Sequence, residues 1–97
     1  MDKRKRRIYE TIFILKGTFT DNECKTAFNE VMEFLNKYEI KKIQDIGRKK
    51  LAYEVAKNQY GYYYIVDLRI FESDVKDIER YYKINSDVIK YIICKKY

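Results

Sequence analysis

The chain has 97 residues, 46% of them hydrophobic and 37% charged, with a net charge of +6. That length holds one domain and one core, and the balance of apolar and charged residues excludes both a disordered chain and a second independent domain. There is no His, and the two cysteines, Cys24 and Cys94, stand far apart, so zinc and haem spacings are missing and ordinary packed thiols are the expectation.

The charge is local. Residues 1–7 carry Lys3, Arg4, Lys5, Arg6 and Arg7 against Asp2, a net +4, whereas the remaining residues hold 16 basic and 14 acidic side chains. Such a run is either a solvated terminus or an arm that neutralises nucleic-acid phosphates and releases counterions. The second basic cluster, Arg48-Lys49-Lys50, favours the arm. Residues 1–7 are therefore read as a basic arm and 8–97 as a single domain. Glu10 and the lack of a small-residue cleavage site argue against a secretory leader. No apolar run approaches the ~20 residues of a membrane-spanning helix, so a soluble intracellular protein is expected.

Ile8 to Leu15 is dense in β-branched and aromatic residues and predicts a mostly buried strand. Gly17 ends it. Thr20 and Glu23 have the spacing of a capping box, and Cys24, Ala27, Phe28, Val31, Met32, Leu35 and Tyr38 form an apolar stripe, so a helix is expected to about Lys37. Ile40 to Val55 reads as a strand that Gly47 bulges or bends. Lys57 to Gly61 supplies a polar turn, and Tyr62 to Phe71 the returning strand. Ser73 is the expected N-cap of a second helix carrying Val75, Ile78, Tyr81 and Tyr82, and Asp87 to Lys95 is a last strand. The order β-α-β-β-α-β predicts an α+β, ferredoxin-like fold with a four-stranded antiparallel sheet and two helices on one face.

Two helices cover only one face of such a sheet. In the first strand Thr11, Phe13 and Leu15 alternate with Glu10, Ile12 and Ile14. In the third, Tyr62, Tyr64, Val66, Leu68 and Ile70 alternate with Tyr63, Ile65, Asp67 and Arg69. The second set, with Ile12, Ile14, Tyr63 and Ile65 among Glu10, Asp67 and Arg69, has the apolar centre and charged rim of a protein interface. An ordinary exposed sheet with scattered hydrophobes is the plainer alternative. Cations beside aromatic rings in the segment from Gly47 to Ile70 suit a polyanion whose bases or sugars can stack.

Arg7-Ile8-Tyr9-Glu10, the stretch Gly47-Arg48-Lys49-Lys50-Leu51-Ala52-Tyr53 with Lys57 and Gly61-Tyr62, and Ile84 to Tyr91 resemble, in order and spacing, segments of the bacterial-type small-subunit ribosomal protein six family. The likeness spans about residues 7 to 97. Glu54-Val55 stands where that family commonly has Pro-Ile, and Lys90 where Arg is frequent.

The resemblance implies a ribonucleoprotein component acting in translation. It would bind the central-domain platform of 16S-type ribosomal RNA jointly with small-subunit protein eighteen, in a cytoplasmic or organellar ribosome. It implies RNA contacts from Lys3, Arg4, Lys5, Arg6, Arg7, Arg48, Lys49, Lys50, Lys57 and Lys90. The partner would meet Glu10, Ile12, Ile14, Tyr63, Ile65 and Arg69. Tyr9 and Tyr53 fit either ribose contacts or the core. No cofactor, metal, membrane or small-molecule substrate is expected.

Two other uses of the fold remain open on the residues alone. One is an RNA-recognition module that stacks bases on sheet aromatics; the other is a dimeric ligand-sensing domain. An acyl-phosphate-hydrolase-like enzyme is disfavoured, because it needs a glycine-rich anion loop and the three glycines are dispersed.

Overall fold

A computed structural model describes residues 5–96. The elements are β1 (Arg7–Lys16), α1 (Asp21–Leu35), β2 (Glu39–Val55), β3 (Asn58–Ile70), α2 (Glu72–Ile84) and β4 (Val88–Lys95). All strand pairs are antiparallel, and the sheet order is β2-β3-β1-β4. This is the expected fold. Arg7, read as the end of the arm, is instead the first residue of β1 and pairs with Ile70.

The capping box of α1 is complete. Glu23 N–H donates to Thr20 Oγ1 at 3.2 Å, and Thr20 N–H donates to Glu23 Oε1 at 2.8 Å, satisfying two amides that the first helical turn leaves free. The helix closes at Leu35, two residues before the expected end, and Asn36 N–H returns to the Met32 carbonyl. α2 starts earlier than Ser73 suggested. Phe71 is its N-cap, and the Phe71 N–H donates to Asp74 Oδ2 at 3.0 Å. An acid three residues into the helix does the capping, and Ser73 falls inside the first turn.

The core lies between the helices and one face of the sheet. Phe13, Leu15, Val66, Leu68 and Ile70 from the strands meet Val31, Leu35, Ile78 and Tyr82 from the helices, all nearly or fully buried. Burying one such side chain contributes about 1.5–3 kcal/mol. Phe13 anchors an aromatic cluster, its ring centroid 5.4 Å from Tyr64 and 5.6 Å from Tyr82. Thr11 is a polar residue within this face. Its hydroxyl donates to the Val66 carbonyl and accepts from Tyr82 Oη, each at 3.1 Å.

β2 departs most from regular pairing. Its register shifts between Asp45 and Gly47, where Gly47 has φ +96, a left-handed conformation that favours glycine. A larger shift follows. Lys50 pairs with Tyr60 and Val55 with Asn58, so residues 51–54 of β2 stand against Gln59 alone. The turn beyond is tighter than the expected Lys57 to Gly61. Ala56 and Lys57, at φ 47 and 65, form the connection, as a two-residue hairpin turn of the primed type requires. Asn58 Nδ2 clamps it by donating to the carbonyls of Val55 and Ala56.

Candidate nucleic-acid and partner surfaces

The hairpin cations divide by what they touch. Arg48 Nε donates to the Gly17 carbonyl at 3.1 Å, and its guanidinium lies 4.2 Å from the Tyr60 ring centroid. It therefore braces the hairpin against the end of β1. Gly17 permits that closeness, because a Cβ there would lie 2.1 Å from the Tyr60 carbonyl oxygen. Lys49, Lys50 and Lys57 are exposed.

The bulge brings together two residues that sequence spacing keeps apart. Leu51 tucks inward, while Tyr53, 65% exposed, reaches the opposite edge of the sheet. There Lys90 Nζ donates to Tyr53 Oη at 3.2 Å and lies 5.2 Å from the ring centroid. Tyr53 is thus a surface residue, and Tyr9 is buried in the core.

Among the described residues the two basic clusters do not meet. Arg7 pairs with Ile70 and Arg48 with Tyr62, and eight positions along β3 amount to about 26 Å. Arg6 binds Glu39 at 3.2 Å, Lys5 is exposed, and Lys3 and Arg4 lie outside the described residues. Between the clusters, the exposed Lys41 and Lys42 sit on edge strand β2. Sequence reading passed over them, although their place in a polar stretch of a strand was a usable signal.

The uncovered sheet face carries a groove of about 420 Å³ lined by Ile12, Ile14, Ile46, Tyr63, Ile65 and Ile92, with Lys90 and Tyr91 at its edge. Ile14 is 5% exposed and forms part of the floor of the groove. Ile46 and Ile92 belong to the groove but were not singled out from sequence. Next to the apolar rows, Glu10 and Asp67 face each other across β1 and β3, with the exposed Arg69 further along. Lys96 Nζ binds Asp67 Oδ2 at 2.8 Å.

A second cleft, about 540 Å³, lies between α1 and β2 and is lined by Cys24, Phe28, Asp45 and Tyr64 among others. Cys24 Sγ and Tyr64 Oη are hydrogen-bonded at 3.2 Å. Burial pushes the Cys24 thiol up, partly offset by that bond, and burial with the same bond pushes the Tyr64 hydroxyl up. A protonated thiol is a poor nucleophile. Cys24 is a packed thiol as expected, whereas Cys94 is exposed and both are free. Among the described residues no cluster of His, Cys, Asp or Glu could hold a metal ion, and no helix is long and apolar enough to cross a membrane.

An RNA-recognition module needs aromatics on the central strands of its open face. Of Ile12, Ile14, Tyr63 and Ile65 at the centre here, only Tyr63 is aromatic. Fold and surfaces together define a ferredoxin-like binding module with an apolar groove and a cationic hairpin.

Comparison with known proteins identifies which module. The family model for Ribosomal protein S6 matches residues 8–95. Small ribosomal subunit protein bS6 of Nitratiruptor sp. is 41% identical over 91 residues, covering 92% of this chain and 71% of that protein. The bS6 protein of Helicobacter acinonychis is 38% identical over 91 residues, 92% of this chain and 64% of its own length. This chain thus spans somewhat under two thirds of the Helicobacter relatives it matches. The crystal structure of 30S ribosomal protein S6 from Thermotoga maritima superposes with a TM-score of 0.85 at 25% identity, covering 95% of this chain and 89% of that one. The chain belongs to the ribosomal protein S6 family.

Proposed function

We propose that this chain is a structural constituent of the small ribosomal subunit in the cytoplasmic ribosome, binding the central-domain platform of 16S-type ribosomal RNA jointly with small-subunit protein eighteen. One observation carries the reading: a single sheet presents an apolar groove on its uncovered face and an exposed cationic hairpin beyond it. The groove suits a protein, and the cations suit phosphates. Lys49, Lys50 and Lys57 contact the RNA backbone, with Lys5 and Arg6 at the far end of the sheet. Such contacts set position and carry no base sequence. Arg48 and Lys90 act partly through the braces they make with Tyr60 and Tyr53. Ile12, Tyr63 and Ile65 receive the partner, with Glu10 and Arg69 on the rim.

The test is a filter-binding titration with a platform RNA fragment, with and without small-subunit protein eighteen. Tight binding is expected only when both proteins are present, and binding of neither would sink the reading. Lys49→Ala with Lys50→Ala should lower the slope of log affinity against log salt by about 1.4–1.8. Removing residues 1–6 should flatten it further; an unchanged slope would take the arm out of the interface.

A further inference from the structure

The charged end of the open face contains a polar atom that the fold leaves without a donor. Asp67 is 6% exposed, and its Oδ2 accepts from Lys96 Nζ at 2.8 Å. Among the described residues nothing donates to Oδ1. An unmet buried acceptor is costly, and more so when charged. Glu10 stands directly opposite on β1, where like charges oppose each other. Lys42 faces Asp67 from β2. Lys96 is itself 48% exposed and grips only one oxygen.

The groove adjoins this pair. Ile12 and Ile65 form the next paired row, Ile92 lies beside Ile12, and Cys94 lies beside Glu10. A protein segment covering the three isoleucines ends at the carboxylates.

Building on the protein-partner reading above, we propose that the Glu10 and Asp67 pair receives an arginine of the docked partner protein, its guanidinium bridging Asp67 Oδ1 and Glu10 while neighbouring apolar side chains fill the groove. Arginine fits better than lysine, because its planar fork donates to two oxygens at once, whereas the ammonium of Lys96 serves one. Lys96 in the unbound chain is a partial substitute for that cation, and its exposed stem lets it move aside.

The experiment titrates purified small-subunit protein eighteen into the full chain by calorimetry. Asp67→Asn and Glu10→Gln should each weaken binding about tenfold, with circular dichroism confirming the fold, and Lys96→Ala should bind at least as tightly as wild type. Cys94 on the same row should alkylate more slowly in the complex, with buried Cys24 as the internal reference. If Asp67→Asn is poorly folded, Glu10→Gln and Cys94 protection decide. Undiminished binding by Glu10→Gln and Asp67→Asn, or an unprotected Cys94 in the complex, overturns the arginine site and leaves the partner reading standing. A loss of binding in Lys96→Ala overturns it as well, since Lys96 would then be the contact. No binding by the wild-type chain, or its self-association in place of binding, overturns both.

Discussion

Tyr82 and Thr11 form a two-step hydrogen-bonded link from α2 into the sheet, and the order of donors decides what each substitution costs. Thr11→Val strands the buried Tyr82 hydroxyl and should cost about 1–3 kcal/mol in urea unfolding. Tyr82→Phe removes only a donor, since Thr11 Oγ1 keeps the Val66 carbonyl, and should cost about 1 kcal/mol. Equal losses would refute the assigned direction. The same hydroxyl makes stability depend on alkaline pH. Burial raises it well above the ordinary tyrosine value of 10.0, so the unfolded chain ionises first. Its contribution is complete below pH 10 and declines above it, by up to about 1.4 kcal/mol per pH unit. The gap between wild type and Tyr82→Phe should therefore narrow between pH 10 and 11 in the same assay. Single residues of this kind are hard to read from sequence. Thr11 shares a strand face with Phe13 and Leu15 by simple alternation, but its partner lies 71 positions away.

At the scale of the elements, local chemistry was legible wherever one segment contains both partners of an interaction. The Thr20 and Glu23 box is such a case, and Thr20→Ala should lower thermal stability by about 1 kcal/mol. α2 misled because Ser73 is a common cap, while the decisive group was Asp74, reaching back to Phe71. The hairpin turn misled for the opposite reason. Ala56 and Lys57 hold left-handed conformations that L residues avoid, so the sequence carries no glycine or asparagine to mark the turn itself. Ala56→Asn should stabilise the protein by about 0.5–1 kcal/mol, because asparagine tolerates that region. A drop in denaturant midpoint would mean that the turn relaxes elsewhere.

For the whole molecule, 43 Å along its longest axis, the consequence of the register is that the two proposed functions occupy separate ground. Alternation along β1 and β3 already displayed the apolar side of the sheet. The burial of Ile14, the reach of Tyr53 to Lys90 and the distance between the basic clusters depend on how β2 is offset against β3, which no local pattern encodes. Separation should show as independence. Lys49→Glu with Lys50→Glu is expected to abolish RNA retention while leaving partner affinity within about twofold, whereas Ile65→Glu should abolish partner binding and, because tight RNA binding needs both proteins, RNA retention with it. Loss of partner affinity in the Lys49→Glu, Lys50→Glu variant would mean that the surfaces are one.

The sheet order β2-β3-β1-β4 also has a meaning in time. β1 precedes the other three strands in the chain, yet one of its flanks is paired only by residues 88–95, the last of the four in chain order. Until those residues leave the exit tunnel, the nascent chain carries an open strand edge rich in isoleucine. Its sheet can be completed only once translation has reached β4, although the β1-β3 and β2-β3 pairings need only the residues up to Ile70.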